Sequence, residues 1–297
     1  MNQNLLADME TQMPKFSKGQ KLIARYIIEH YEKAAYMTAS KMGATVGVSE
    51  STVVRFASEV GYEGYPQLQK ALQELIRNRL TSVQRMEISE GQMKSSDILK
   101  KVLCMDSDRI KRTLEEISEE EFEKAVKTIT EAKKIYIVGV RSSANIARFM
   151  YFYFNHIFDN AHLVNTTSSS EMFEEIFRIG KGDVLIALSF PRYSRQTAKA
   201  VQYASDKGAD VVAITDSVES PIAQDATATL LARSDMASFV DSLVAPLSLV
   251  NALIVALGMA KKDKISESYA QLEHIWEEYN VYEKSAPIVH KVNKENE

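Results

Sequence analysis

Two segments of the chain combine arginine with hydroxyl side chains in a pattern that suits anion binding. Residues 139–143 (GVRSS) and 189–194 (SFPRYS) each follow a short apolar run and precede a helix-length segment. Backbone N–H groups at the start of a helix attract negative charge, and arginine adds a planar cation that binds phosphate or carboxylate. The residues predicted to bind such a ligand are Arg141, Ser142, Ser143, Ser189, Arg192, Tyr193 and Ser194.

The serines of these segments have a second interpretation, which is helix capping. Ser142 or Ser143, and also Ser194, stand where the first residue of a helix accepts a hydrogen bond from the backbone. Residues 168–171 (SSSE) have capping-box spacing, which favours a local role for Glu171. No GxGxxG or GxxxxGK[ST] motif is present, which disfavours a dinucleotide or a P-loop nucleotide.

A second chemical pattern lies in the first 80 residues. A short helix predicted from Thr38 to Val46, a tight turn at 47–48 and a helix that begins after Ser49 form the layout of a helix-turn-helix. The second helix of this motif presents its first turns to base edges in the major groove of DNA. The predicted DNA-binding residues are Ser49, Glu50, Ser51, Thr52 and Arg55, with Lys41, Tyr62, Tyr65 and Lys70 as contacts to the phosphate backbone.

Arg55 is the central candidate of that set, because arginine binds guanine or phosphate. We expect Val48, Val53, Val54 and Phe56 to pack inside rather than to contact DNA. A small helical bundle used for packing or dimerisation is the alternative for this region.

An enzyme is the alternative for the second half of the chain. A phosphosugar isomerase needs a general base, and the candidates Glu171, Glu174, His156 and His162 have no recognisable spacing. The histidines are scattered without an HExxH pattern, and the single cysteine, Cys104, is expected to be buried in an amphipathic helix. We therefore predict no enzyme, no metal site and no cofactor. A structural protein without a ligand is a third alternative.

The elements that position these residues change in character near residue 134. Before it the sequence predicts helices only: one with a capping box at 17–20, one from Pro66 to about Leu80, one over 97–117 and one over 119–132. Residues 81–95 are polar and predict a linker or a frayed helix end.

After residue 134, apolar runs rich in Val, Ile and Leu alternate with helix-length segments. This alternation predicts a parallel sheet covered on both faces, with ligands beyond the carboxyl ends of the strands. A long apolar helix is predicted over 239–261, broken early by Pro246 and buried at a core or a dimer interface. The predicted strands are 135–140, 162–166, 183–189, 210–216 and 227–233.

Length and charge limit the classes of protein. The chain has 297 residues with 36 Lys+Arg and 40 Asp+Glu, a net charge of −4, which excludes a nucleic-acid binder that is basic throughout. The first 80 residues hold 10 basic and 8 acidic residues and so have a weak positive balance. The sequence has no signal-peptide pattern and no apolar stretch of membrane length, so we expect a cytoplasmic protein without a membrane partner.

Residues 46–72 (VGVSESTVVRFASEVGYEGYPQLQKAL) are similar to the helix-turn-helix pattern of the RpiR/MurR-type transcriptional regulators. Residues 139–143 and 189–194 resemble the G-x-G-x-S and S-x-S-G-x-T turns of the sugar isomerase (SIS) domain in that family, and residues 214–231 resemble its next segment. The resemblance covers nearly the whole chain. It implies a homodimeric or homotetrameric regulator that binds a double-stranded DNA operator and a small anionic metabolite such as a phosphosugar.

The chain departs from the family pattern in both turns. Arg141 stands where the first turn usually has glycine, residues 191–192 (PR) stand where the second usually has Ser-Gly, and Ser194 replaces threonine. Hydroxyl groups remain at Ser143 and Ser189. Because the arginines fill space and add positive charge, we expect a ligand smaller or more acidic than a hexose phosphate, or a pocket that is repurposed or closed.

Four segments follow from these patterns. We predict a helix-turn-helix DNA-binding domain at 1–80, a linker and connecting helix at 81–118, a SIS-like domain for effector binding and oligomerisation at 119–283, and a polar tail at 284–297. The fold class is an all-α N-terminal domain followed by an α/β domain with a five-stranded parallel sheet flanked by helices. Effector binding would change operator affinity through the segment 81–118.

Overall fold

The computed structural model describes residues 5–76, 81–90, 97–166, 168–235 and 238–283. Its N-terminal region is helical, and side-chain caps begin several of the helices. The Ser17 hydroxyl accepts from the Gln20 N–H, and the Gln20 side chain accepts from the Ser17 N–H in return. The helices are α1 (Leu5–Gln12), α2 (Lys18–Glu29), α3 (Tyr31–Ala34), α4 (Ala39–Val46), α5 (Glu50–Glu59) and α6 (Tyr65–Ile76).

A single apolar cluster holds these helices together. Ile23 and Ile27 of α2, Phe56 of α5 and Leu68 of α6 are fully buried in it. The helix predicted from Pro66 begins one residue earlier, at Tyr65, and its predicted end at 77–80 lies outside the described residues.

Three more helices lead to the sheet: α7 (Ser82–Glu90), α8 (Ile98–Glu116) and α9 (Glu119–Glu131). Residues 82–90 of the segment predicted as a linker or a frayed helix end are therefore helical, and 91–95 lie outside the described residues. Cys104 is exposed, so its predicted burial is wrong. It lies about 140° around α8 from the buried Arg109, because an α-helix turns by about 100° per residue.

The second half contains the predicted five-stranded sheet, and all four pairs of neighbouring strands are parallel, which confirms the fold class. The spatial order is β2-β1-β3-β4-β5. Strand order therefore reverses between β1 and β3, the point where such sheets bind ligands. The strands are β1 (Ile135–Gly139), β2 (Ala161–Val164), β3 (Val184–Leu188), β4 (Asp210–Thr215) and β5 (Ala228–Leu231).

Helices cover both faces of the sheet. One face packs against α9, α10 and α13, and the other against α11 and α12. These helices are α10 (Ser143–Ile157), α11 (Ser169–Ile176), α12 (Arg195–Asp206) and α13 (Val244–Ala260), and α14 (Lys262–Glu278) follows them.

The long apolar helix begins later than predicted. Pro246 does not break it, because proline fits in a first helical turn, where no intrahelical N–H bond is needed. Helix α14 was not predicted from the sequence. Among the described residues no single helix has the length and apolarity to cross a bilayer, whereas α13 and α14 together, bent by 98°, pass that test on length and composition.

Candidate functional site

The turn between α4 and α5 is fixed by local contacts. Gly47 ends α4 in the left-handed conformation, with φ of 76°, and Ser49 begins α5 by accepting from the Thr52 N–H at 3.3 Å. A Cβ atom on Gly43 would lie 2.7 Å from the Val48 carbonyl oxygen, so α4 requires glycine there to approach the turn. Sequence reasoning missed Gly43, since its role depends on a contact rather than on the turn itself.

The first two turns of α5 have one exposed face. Glu50, Ser51 and Arg55 are exposed, while Val53 and Phe56 lie in the core. The Arg55 Nε donates to the Ser51 carbonyl oxygen at 3.4 Å, which directs the guanidinium back along this face.

One detail of α5 differs from the prediction. Val54 is 41% exposed, so its assignment to packing is wrong. It lies beside Arg55 on the outer face, because successive residues of a helix are only about 100° apart. An exposed valine there can contact a thymine methyl group. Thr52 is half-buried, with its hydroxyl 2.8 Å from that of Ser49.

The four predicted contacts to the DNA backbone lie in different surroundings. Lys41 and Lys70 are exposed, and Tyr62 is half-buried. Tyr65 is buried, its hydroxyl donates to the Met37 carbonyl oxygen at 3.0 Å, and burial raises its pKa to about 12. A side chain bonded inside the helical core cannot reach a phosphate, so we leave Tyr65 out of the DNA surface proposed below.

The first predicted ligand segment follows β1. Arg141 is exposed and has φ of 58°, the left-handed region that glycine adopts without strain. Ser143 is buried, and a Cβ on Gly139 would lie 2.7 Å from its carbonyl oxygen. Ser142 has helical backbone angles and makes no side-chain cap, so the predicted capping at 142–143 is wrong for Ser142. A capping side chain needs an extended backbone at the cap position.

The second segment follows β3, and its hydroxyls are occupied locally. Ser189 is buried and accepts from the Ser194 N–H at 3.3 Å. The Ser194 hydroxyl accepts from the N–H groups of Gln196 and Thr197, which confirms the capping interpretation for this serine. Arg192 between them is exposed.

Hydrogen bonds join this segment to its neighbours at the carboxyl edge of the sheet. The Tyr193 hydroxyl donates to Asp216, which follows β4, at 2.9 Å. Gln196 at the start of α12 donates to the Ser169 hydroxyl at the start of α11, at 2.8 Å. The segments after β2, β3 and β4 are thus tied together, and the one after β1 lies between the first two because β1 pairs with both β2 and β3.

The predicted capping box at 168–171 is wrong. Ser168 makes no cap, and its hydroxyl lies 2.9 Å from that of Ser170. Glu171 instead accepts from the Thr166 hydroxyl at 2.5 Å. A bond to the preceding turn has replaced the bond to the helix backbone.

The four candidate catalytic residues do not come together. Glu171 and Glu174 are exposed on α11. His156 is in the last turn of α10, and its Nδ1 is 3.3 Å from the Tyr269 hydroxyl of α14. His162 lies near the amino end of β2, with its ring tilted by 35° against that of Tyr136. The histidines are thus near the amino edge of the sheet, and the start of α11 is at the carboxyl edge. Within the described ranges no group of three His, Cys, Asp or Glu residues is placed to hold a metal ion.

Sequence reasoning missed a set of ion pairs that ties α7 and α8 to the segment after β5. Arg85 of α7 pairs with Asp241 at 2.5 Å, and Asp106 of α8 accepts from Arg109 at 2.9 Å and from the Ser242 hydroxyl at 2.7 Å. We call this set the connector ion pairs. Outside it, Arg112 of α8 also pairs with Asp235, and Glu116 with Arg233.

An apolar cavity of about 940 Å³ lies beside the connector ion pairs. Its walls come from α7, α8, the first turns of α10 and residues 238–247, and include Met86, Val102, Ile146 and Phe239. α10 begins at the predicted ligand-binding segment after β1, and its first turns line the same cavity as α7 and α8. The connecting helices therefore lie one or two helical turns of α10 away from Arg141.

Two families of known domains match the chain. The helix-turn-helix domain of the rpiR family matches residues 3–79, and the SIS domain matches residues 128–256. Together they cover more than two thirds of the chain.

Curated relatives match across three quarters of the chain or more. An uncharacterized HTH-type transcriptional regulator of Caldanaerobacter subterraneus is 22% identical over 276 residues, covering 88% of this chain and 93% of that protein. The regulator HexR of Escherichia coli is 24% identical over 231 residues, covering 75% of this chain and 76% of HexR.

Solved structures show the same fold. The Vibrio vulnificus NanR protein, complexed with ManNAc-6P, has a TM-score of 0.54 at 21% identity and covers 93% of this chain and 99% of NanR. The sugar isomerase domain of an RpiR transcription factor from Sphaerobacter thermophilus has a TM-score of 0.57 at 24% identity and covers 60% of this chain and 99% of that domain.

Proposed function

The chain belongs to the RpiR family of transcriptional regulators with a SIS domain, and we propose that it changes its affinity for a DNA operator when an anionic metabolite binds at the carboxyl edge of its sheet. In this proposal residues 1–80 bind DNA and residues 119–283 bind the effector. Residues 81–118 connect these two regions. The predicted tail at 284–297 lies outside the described residues.

The observation that carries the DNA-binding part is the division of α5 into a buried and an exposed face. Ser51, Val54 and Arg55 face outward from a turn whose geometry is fixed by caps and glycines. A helix held this way can enter the major groove without rearrangement. Lys41 and Lys70, both exposed, are the proposed phosphate contacts.

Two exposed arginines at the reversal of strand order support the effector part. Arg141 follows β1 and Arg192 follows β3, and the strand order reverses between these two strands. The nearby hydroxyls of Ser189 and Ser194 are engaged in the local turn, so the guanidinium groups supply the recognition in this proposal. NanR, which has the same fold, is complexed with a sugar phosphate, which supports the same chemical class here.

We propose that the chain is not an isomerase. A general base must lie within hydrogen-bond reach of the substrate carbon it deprotonates, and the four candidates are spread over α10, β2 and α11. The relatives above are transcriptional regulators, which agrees with this view.

The connector ion pairs supply the proposed coupling. They hold α7 and α8 against residues 241–242, and the cavity beside them reaches the start of α10. A ligand that shifts α10 would alter this contact and so the position of the helices that lead to the DNA-binding region. A coupling free energy of about 1–3 kcal/mol suffices for a 5–150-fold change in operator affinity.

The test uses the full chain in two steps. The protein first selects duplexes from a random DNA pool, and we expect an enriched sequence that it prefers over scrambled duplex, with an affinity that falls as salt rises. Binding of that duplex is then measured with ManNAc-6P and glucose 6-phosphate, and with ManNAc and glucose as matched neutral sugars. A triose phosphate and a phosphorylated sugar acid are included because they are smaller and more acidic than a hexose phosphate. We expect only the phosphorylated sugars to change the affinity.

Each part of the proposal has its own contradicting result. A protein that enriches no sequence is not the proposed regulator. A neutral sugar that acts more strongly than its phosphate overturns the anion site. Turnover of a sugar phosphate by the full chain would show that the chain is an isomerase.

A further inference from the structure

Helix α2 has basic side chains on its solvent side. Four basic residues and no acidic residue occur over 14–25 (PKFSKGQKLIAR). Lys18 and Arg25 are exposed and seven residues apart, which places them within about 20° of each other around the helix axis and about 10 Å apart along it. We call these two side chains the basic row. A surface that concentrates one sign of charge attracts a partner of the opposite sign.

The basic row has no carboxylate beside it. Among the described residues no ion pair involves Lys18 or Arg25. By contrast, the exposed Lys124 of α9 pairs with Glu121 of the same helix at 3.7 Å. Like charges on one face of a helix repel each other, so the row does not stabilise α2 itself. Its positive charge is therefore available to an external anion.

The basic row begins beside the start of α5. A Cβ atom on Gly19 would lie 3.5 Å from the Thr52 side chain in the first turn of α5 and 3.5 Å from the Val48 side chain in the turn before it. The first turn of α2 therefore packs against the part of the motif that is proposed to enter the major groove. Lys18 is adjacent to Gly19 and about 100° around the axis, on the exposed side of this contact. The basic row and the exposed face of α5 thus border each other.

From these observations we propose that α2 binds the phosphate backbone of DNA beside the groove that α5 enters, through Lys18 and Arg25. This inference rests on the proposed function, because it requires DNA at α5. Ammonium and guanidinium groups both bind phosphate oxygens. The distance of about 10 Å between the two residues corresponds to about three nucleotides, since one strand of DNA rises about 3.4 Å per nucleotide. Such contacts fix the position of α5 in the groove without reading bases.

The first test measures how salt changes the binding of selected and scrambled duplex by the full chain. We expect Lys18→Ala to lower the slope of log affinity against log salt by about one, and Lys18→Ala with Arg25→Ala to lower it by about two, for both duplexes alike. The matched control is Lys33→Ala, which removes the same charge from an exposed residue of α3, beyond the far end of α2. We expect the control to keep the wild-type slope. Circular dichroism checks that all variants are folded.

The second test locates α2 on the DNA by affinity cleavage in a Cys104→Ser background, which removes the single cysteine. Lys18→Cys is labelled with iron–EDTA, whose hydroxyl radicals cut the DNA backbone near the label. We expect cuts in the backbone at the edge of the selected site. Lys33→Cys with the same label is the control. Because position 33 lies beyond the far end of α2, which is about 18 Å long, we expect much weaker cuts from it.

The contact between α2 and DNA and the proposed function can fail separately. An unchanged salt slope for the Lys18 and Arg25 variants, an equal fall for Lys33→Ala, or equal cleavage from Lys33→Cys overturns the contact. If the wild type still prefers the selected duplex, the proposed function stands. A chain that selects no sequence, but whose salt slope on scrambled duplex falls with Lys18→Ala, keeps the contact and is not the proposed regulator.

Discussion

The helix-turn-helix and the carboxyl edge of the sheet use their polar side chains in opposite ways. In the first, Ser49 caps α5 and leaves Ser51 and Arg55 exposed on a rigid face. At the edge, Ser189 and Ser194 bond within one turn, and Arg141 and Arg192 are exposed. A rigid surface for DNA can be built from neighbours in sequence, whereas the edge depends on partners from several strands.

The two regions also differ in the interactions that stabilise them. Caps and apolar contacts within the first 76 residues account for the packing of α1 to α6. The second half is held to the connecting helices by charges far apart in sequence, such as Arg85 and Asp241, which are 156 residues apart. Substitutions in the two regions should therefore have different effects on stability.

Removing a connector ion pair gives the largest expected change. Asp241→Ala removes a carboxylate that pairs with the Arg85 guanidinium, whose side chain is 5% exposed, and we expect the free energy of unfolding to fall by about 3 kcal/mol. Chemical denaturation followed by the fluorescence of Trp276 and by circular dichroism measures this. The control is Asp108→Ala, whose partner Lys111 is 4.0 Å away on the surface, and we expect a change below about 0.5 kcal/mol. Equal losses in both variants would show that long-range charges do not hold the connection.

Alkaline pH should weaken the helical N-terminal region through Tyr65. Burial raises its folded pKa to about 12 from an unfolded value near 10, so the neutral hydroxyl stabilises the fold below pH 10. That contribution is lost as pH rises from about 10 to 12, by about 2 to 3 kcal/mol. Denaturant titrations at several pH values measure the slope, and Tyr65→Phe should flatten it. The same slope in both proteins would assign the effect to other tyrosines.

The local signals of the N-terminal region could be predicted from sequence. Ser17 and Ser49 both cap helices as their spacing indicates, since a cap involves only residues within one turn. The parallel sheet could also be predicted, because runs of Val, Ile and Leu require cover on both faces.

The arrangement of side chains at the carboxyl edge of the sheet could not be predicted from the sequence. Ser142 and Ser168 have the spacing of caps but do not cap, because the surrounding turns set their backbone angles and partners. The connector ion pairs and the burial of Tyr65 also escaped prediction, because each joins residues that only the folded chain brings together. Sequence identifies the residues at the edge, and long-range contacts decide which of them are exposed there.

Replacing Arg55 tests whether the exposed face of α5 contacts bases. We expect Arg55→Ala to weaken binding of the selected duplex by about 2 kcal/mol, or about 30-fold, and to leave binding of scrambled duplex nearly unchanged. Lys70→Ala is the matched comparison, since loss of a phosphate contact weakens all sequences alike and lowers the salt slope by about one. Titration of labelled duplexes at several salt concentrations measures both. A uniform loss for Arg55→Ala would make it a phosphate contact instead.

Replacing Arg141 tests two effects: the strain of its left-handed backbone, and the binding of the proposed anionic ligand by its positive charge. Arg141→Gly removes a side chain from the left-handed region, and we expect the free energy of unfolding to rise by about 1 kcal/mol. It also removes a guanidinium from the proposed anion site, so the thermal shift given by ManNAc-6P or glucose 6-phosphate should shrink. Asn280→Gly is the control, because Asn280 also has positive φ, at 51°, but asparagine tolerates that conformation better. A variant that gains stability and keeps the full ligand shift would separate Arg141 from the anion site, and the edge would then rely on Arg192.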